Sequence, residues 1–350
     1  MHGHTKEAES KKTDEERKSL VVKAKKYKAL SASILERRKQ GLGDEESFDL
    51  TGKALRMNPD FYSLWNFRRD MLIERHGNSM GLCNQTKEGG GATGTKKICI
   101  SQTEGAGAVV AEEFRLTADA ILKNPKCYGA WHHRQWVAER FEYDSTAELE
   151  LCKDFLCADQ RNFHCWIYRA FVVHDSDVSC EDELNFSTEK IMENFSNYSA
   201  FHYRSAYLLQ MYPQRSTPRG VLLEELEMVE NAVFTEPDDQ SAWWYFRFLL
   251  DLVGKTTDED KEKGEEDGEW AHGVLQQQAD SLRSLLDEEP ESKWVMVALV
   301  EVLQRLAGLP QQQHVEADVL SGKEERLALL ESLKRVDPIH KQRYLYLARQ

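Results

Sequence analysis

The chain has 350 residues, 30 % of them charged and 41 % hydrophobic, with a formal net charge of −14. This balance suits a core-forming, soluble protein and argues against general nucleic-acid binding. No apolar run approaches the roughly 20 residues of a membrane span, and Met1-His2-Gly3-His4 opens no apolar signal core, so the expected compartment is cytoplasmic. Residues 1–16 are polar and read as a disordered tail. Leu20, Val21, Ala24, Tyr27, Ile34 and Leu35 then recur at helical spacing over residues 17–39. From Lys11 to Lys39 there are eleven basic and four acidic residues, a net of +7; the helix presents either a solvated face or a docking face for an acidic partner.

A repeat follows. Its copies are Asn58-Pro59-Asp60-Phe61-Tyr62-Ser63-Leu64-Trp65-Asn66-Phe67-Arg68, then Asn124-Pro125 through Trp131 and Arg134, then Asp159 through Trp166 and Arg169. Asn194 through Phe201 and Arg204 is the fourth copy; Glu236-Pro237 through Trp244 and Arg247, one residue longer, is the fifth. Each pairs an aromatic with an Arg three positions later, and an apolar residue stands ten before the aromatic: Leu55, Ile121, Leu156, Ile191 and Phe234. Glu289-Pro290…Trp294 reads as a degenerate sixth copy and Asp337-Pro338 as a truncated seventh. A period near 35 residues predicts a pair of antiparallel helices per copy. The Asn-Pro step is expected to start the second helix, as N-cap and first helical residue. The domain of repeats is expected over 17–350, all-α throughout, with a Gly-rich flexible insertion at 77–107 and an acidic linker at 254–270.

The indole supplies buried area and the Arg a planar fork to the next copy, so both are chiefly structural. Variation between copies carries more information. Lys126, Arg161 and His164 place positive or proton-donating groups at the same end of neighbouring helices, where free N–H groups also gather. They form either a small anion site suited to phosphate or simply exposed polar residues at helix starts. His132 and His133 are adjacent and point about 100° apart on a helix, which favours core or interface roles over a shared metal. Gly89…Gly94-Thr95-Lys96 misses the phosphate-loop pattern, since Thr95 stands where Lys is needed. No nucleophile elbow or H-E-x-x-H appears, and the seven scattered Cys suggest reduced thiols.

These copies resemble the protein prenyltransferase α-subunit repeat. Asn58-Pro59-Asp60-Phe61…Leu64-Trp65-Asn66…Arg68-Arg69, Trp131-His132-His133-Arg134, Arg161-Asn162-Phe163-His164-Cys165-Trp166 and Asn194-Phe195-Ser196-Asn197-Tyr198 are similar to the branch acting on Rab GTPases, the type II geranylgeranyltransferases. The resemblance covers residues 17–250 well and 285–345 weakly; the immunoglobulin-like and leucine-rich domains of vertebrate relatives have no counterpart. It implies an α-α superhelix, a crescent of helical hairpins around a β subunit, inactive alone. That partner would hold the zinc and most of the lipid pocket. The implied reaction transfers geranylgeranyl from geranylgeranyl diphosphate to C-terminal cysteines of Rab GTPases presented by a Rab escort protein. Lys126, Tyr128 and His164 map onto the residues that approach the diphosphate, with Arg161 beside them, and His2 onto an additional ligand of the partner's zinc. The alternatives are the α subunit shared by farnesyltransferase and type I geranylgeranyltransferase, and a non-catalytic helical-repeat scaffold.

Overall fold

A computed structural model describes residues 13–76, 106–213, 217–253, 265–309 and 316–349. They fall into two compact units, Met1–Ser176 and Asp177–Gln350. Among the described residues the fold is all-α with no strand. The first unit holds α1 (Asp14–Lys39), α2 (Glu45–Met57), α3 (Tyr62–His76), α4 (Ala106–Lys123), α5 (Tyr128–Arg140), α6 (Ser145–Ala158) and α7 (Phe163–His174). The second holds α8 (Cys180–Glu193), α9 (Tyr198–Met211), α10 (Arg219–Thr235), α11 (Gln240–Val253), α12 (Glu265–Glu288), α13 (Lys293–Gly308), α14 (Glu316–Val336), a 3-10 turn (Pro338–His340) and α15 (Lys341–Leu347). Consecutive helices pair as α2–α3, α4–α5 and α6–α7 in the first unit, and as α8–α9, α10–α11 and α12–α13 in the second. Trailing helices touch one another, α3 with α5 with α7 and, separately, α9 with α11 with α13.

Element ends differ from expectation for local reasons. The first helix starts at Asp14, inside the expected tail, because Thr13 and Glu16 form a reciprocal capping box. Residues 77–105 and 254–264 lie outside the described residues, while Ala106 and Gly107 open α4 and residues 265–270 open α12.

The Asn-Pro step ends a helix rather than starting one. Asn58, Asp159 and Asn194 are C-caps in extended conformation (φ/ψ −144/97, −141/90 and −162/104), which for Asn58 is also the region a residue before proline prefers. Their side-chain oxygens accept from the N–H two residues on: Asp60, Arg161 and Ser196 at 3.2, 3.2 and 2.9 Å. The step is thus an Asx turn, and the next helix begins two residues beyond it, at Tyr62, Phe163 and Tyr198.

The indole locks this turn to its own helix. Trp65, Trp131, Trp166 and Trp243 each donate Nε1–H to the carbonyl six residues earlier, at 2.8, 2.9, 2.9 and 2.8 Å. In the fifth copy the donor is therefore Trp243, not Trp244. The residue ten before it, Val233, is buried, whereas Phe234 is exposed. That copy carries no extra residue and no Arg at the third position; Phe246 stands there, buried. Six residues after Pro290 comes buried Met296, while Trp294 lies two residues earlier against Lys293. Six after Pro338 comes buried Tyr344, whose hydroxyl donates to Asp337 at 2.6 Å.

The Arg at the third position joins hairpins. Arg134 donates to the Phe114 carbonyl (2.6 Å) and Thr117 hydroxyl (2.8 Å) within its own hairpin, and to both Glu148 oxygens (2.7 and 2.6 Å) on the next. Arg68 likewise grips the Phe48 carbonyl, Thr51 and Glu113, and Arg204 grips the Leu184 carbonyl, Ser187 and Glu225. Each carboxylate also receives a donor twenty residues on: His133 on Glu113, Tyr168 on Glu148 and Tyr245 on Glu225. All three ion pairs are buried.

Two outcomes follow. Arg134→Ala strands the Glu148 carboxylate and should cost about 3–5 kcal/mol, read as a lowered urea midpoint. Burial works to raise the Glu113 carboxyl, but Arg68 and His133 outweigh it and hold it at about 2 against an ordinary 4.5. Its stabilisation is complete above the unfolded value and is lost as pH falls towards 2. Melting temperatures should fall over that range, and Glu113→Gln should flatten this part of the profile.

Candidate functional site

The turns of successive hairpins in the first unit are tied side by side. Asn124 Nδ2 donates to Asp60 at 2.9 Å, and Cys127 Sγ to the Pro59 carbonyl at 3.2 Å. Asn162 Nδ2 donates to the Pro125 carbonyl at 3.1 Å while its Oδ1 caps α7 through the Cys165 N–H. The starts of α5 and α7 are thereby brought together. Lys126 and Arg161 occupy the same place in adjacent turns, each backbone N–H bonded to the Asx oxygen two residues earlier at 3.2 Å. Both side chains are exposed, and that of Lys126 makes no ion pair or hydrogen bond among the described residues.

Tyr128 begins α5, and Phe163 and His164 begin α7. The Tyr128 ring meets His164 edge-on at 4.2 Å and Phe163 at 6.1 Å, and Phe163 covers His164 at 3.9 Å. Trp131 stacks on the other side at 6.5 Å and 12°. Tyr128 is 67 % exposed whereas His164 is 8 % exposed, with Nε2 buried and unpartnered. Burial pushes the His164 pKa below its usual 6.5. The imidazole is therefore neutral at pH 7 and contributes a hydrogen bond rather than a charge. The N-cap of α5, Cys127, makes no side-chain cap bond, and its buried thiol faces the Gly129 and Ala130 amides of that helix. The rim thus sets two exposed cations and a phenol beside a neutral imidazole, groups of a chemistry that could receive an anion.

Gly129 lets this helix start lie close to the preceding hairpin. A Cβ there would meet Trp65 Cδ1 at 2.6 Å, a contact only glycine avoids. His133 is fully buried and bonded to Glu113, while exposed His132 meets Arg69 at 3.1 Å; the two imidazoles serve separate places, as their spacing predicts. His2 lies outside the described residues. The contributions of Phe163, Trp131 and Asn162 to the site are additions. Phe163 and Asn162 stand beside His164 in sequence and Trp131 belongs to the repeat, but only the stacking of hairpins makes them its walls and tether.

The profile described as protein prenyltransferase alpha subunit repeat matches residues 44–74, 110–141, 145–175, 180–211 and 222–253, which follow the five hairpins from α2–α3 to α10–α11. The geranylgeranyl transferase type-2 subunit alpha of Dictyostelium discoideum is 31 % identical over 348 residues, 98 % of each chain. The chain belongs to the protein prenyltransferase α-subunit family. The Rattus norvegicus member of the same name is 41 % identical over 263 residues, 71 % of this chain and 42 % of that protein. The chain thus spans less than half the length of the mammalian relatives it matches. Candida albicans protein geranylgeranyltransferase-I complexed with GGPP has a solved structure that matches this family member at a TM-score of 0.64 and 17 % identity, covering 93 % of this chain and 90 % of that one; the likeness is one of fold.

The wall around His164 is testable. Its ring should titrate below 6.5 by NMR, and Tyr128→Ala, by admitting water, should raise that pKa without unfolding the chain.

Proposed function

We propose that this chain is the α subunit of a heterodimeric Rab geranylgeranyltransferase of type II. It would act with a prenyltransferase β subunit on Rab GTPases presented by a Rab escort protein, and be inactive alone. The site observation that supports this reading is the rim of Lys126, Tyr128, Arg161 and His164 on a prenyltransferase α-repeat scaffold. The full-length similarity to a type-2 α subunit favours it over the α subunit shared by farnesyltransferase and type I geranylgeranyltransferase. A bare scaffold would need no cationic cluster around a buried imidazole.

In the proposed reaction a cysteine thiolate of the Rab C-terminus attacks the first carbon of geranylgeranyl diphosphate. The carbon–sulfur bond forms as the carbon–oxygen bond to diphosphate breaks, and the electron pair leaves with the diphosphate. Negative charge concentrates on that leaving group, so donors already aimed at it lower the barrier. Lys126 and Arg161 supply fixed positive charge, the Tyr128 hydroxyl donates, and neutral His164 donates through a ring N–H. The partner's basic residues would surround the remaining oxygens.

A zinc ion would hold and acidify the thiol. Among the described residues no three His, Cys, Asp or Glu side chains gather where they could bind a metal. On this reading the β subunit would hold the zinc, and no step on this chain runs through it.

Lys126→Ala in the heterodimer should remove a charge-assisted bond worth about 1.5–3 kcal/mol, slowing transfer roughly 10- to 100-fold. Single-turnover transfer to a Rab–escort complex measures it. An unchanged rate and unchanged diphosphate affinity would take Lys126 out of the site. Transfer only to a short cysteine peptide, without escort protein, would favour the type I or farnesyl alternative.

A further inference from the structure

The second unit carries a pocket of about 350 Å³ among α11, α13, α14 and α15. Val300, Leu330 and Leu333 form a buried apolar floor. Around it stand Arg247, Arg305 and Arg343 with one carboxylate, Glu301. Glu301 is already shared, held by Arg247 Nε at 2.8 Å and Arg305 Nη2 at 2.9 Å. Arg305 spends its other donors on Asp251 (2.7 Å) and the Leu250 carbonyl (3.1 Å), yet its Nε is buried without a partner. Arg343 is exposed and makes no ion pair or hydrogen bond among the described residues. Three guanidinium groups thus face one lining carboxylate, in a chain whose net charge is −14.

An orphaned buried N–H and an unpaired guanidinium beside an apolar floor call for an acceptor attached to something apolar. The volume lies at the low end for small-molecule cavities, with room for one large side chain. An apolar anchor ringed by Arg and Tyr is also how protein interfaces concentrate their binding energy. We propose that this pocket docks a segment of a partner polypeptide that presents one bulky apolar side chain flanked by carboxylates. The apolar group would rest on Val300, Leu330 and Leu333, with a carboxylate paired to the exposed Arg343 guanidinium. The proposal is independent of the transferase reading: the pocket lies within the second unit and shares no residue with the Lys126 rim.

The test titrates the full-length chain with a fluorescent acidic pentapeptide carrying a central Phe, up to millimolar concentration. Parallel titrations use a version with Gln for every Glu and another with Ala for Phe. Saturable binding of the parent, weakened at least about tenfold by either change and by added salt, is expected. Arg343→Glu should weaken it similarly while Arg343→Lys restores most of it; both sit at an exposed, unpaired position, so circular dichroism should match the parent chain. No saturable binding, equal binding of the Gln peptide, or indifference to Arg343→Glu would overturn the proposal. So would binding of decanoate with none of the peptide, which would mark a site for small anionic amphiphiles.

Discussion

The structure depends on one buried interaction repeated along the chain: a guanidinium that holds its own hairpin with one nitrogen and the next hairpin's carboxylate with two others. A helical hairpin has an apolar face it cannot bury alone, and stacking solves that without setting the register. The Arg–Glu pair sets it. Burying two charges costs nearly as much as their attraction returns, so the pair is a poor source of net stability. It is a strong source of direction, because a bidentate fork fits only one placement of the carboxylate. His133, Tyr168 and Tyr245 complete the oxygens' hydrogen bonds, and a slip of one residue would leave all of these groups unpaired.

Fixed register has a consequence at the turns. Each Asx turn stands at a set distance from its indole and its Arg, so stacked hairpins bring their turns into line. In the first unit Asn124, Cys127 and Asn162 bond across that line. The exposed residues at the third place of adjacent turns, Lys126 and Arg161, then occupy equivalent positions along that line. The candidate site is thus a set of substitutions on a rim whose geometry belongs to the scaffold. Its one buried member, His164, owes its neutrality to Tyr128 and Trp131 from the preceding hairpin.

Much of this was legible before any coordinates. Period, Trp and Arg imply hairpins with matched interfaces, and Lys126, Arg161 and His164 stand out by differing from their equivalents; Tyr128, matched by Tyr62 and Tyr198, is marked only by the family resemblance. Local ambiguity hid other parts. Asn-Pro fits both a helix start and an Asx turn after a helix end; Asp159 and Asn194 make the same turn with no proline after them, so the Asx side chain decides for the turn. Trp243 and Trp244 are adjacent, and Arg247 drew the alignment to the second, although Val233 already kept the ten-residue spacing for the first. The acceptors Glu113, Glu148 and Glu225 each precede their donor by twenty residues. That signal was present but indistinct among 60 acidic residues. The charge state of His164 depends on rings from another hairpin, which no local pattern contains.

The fifth copy shows what happens when the stapling residue is absent. Phe246 takes the third position and is buried, so no internal guanidinium stands there. The arginine stands one residue later. A step of about 100° on a helix turns it from the interior to a half-exposed place, where it meets Glu301 instead of a buried carboxylate. Arg305 approaches the same Glu301 from within α13 and closes over the end of α11 through the Leu250 carbonyl. A shift of one residue thus converts an internal staple into part of an arginine-lined pocket. The physics that fixes the register of the earlier hairpins, released here, leaves cationic capacity facing outward.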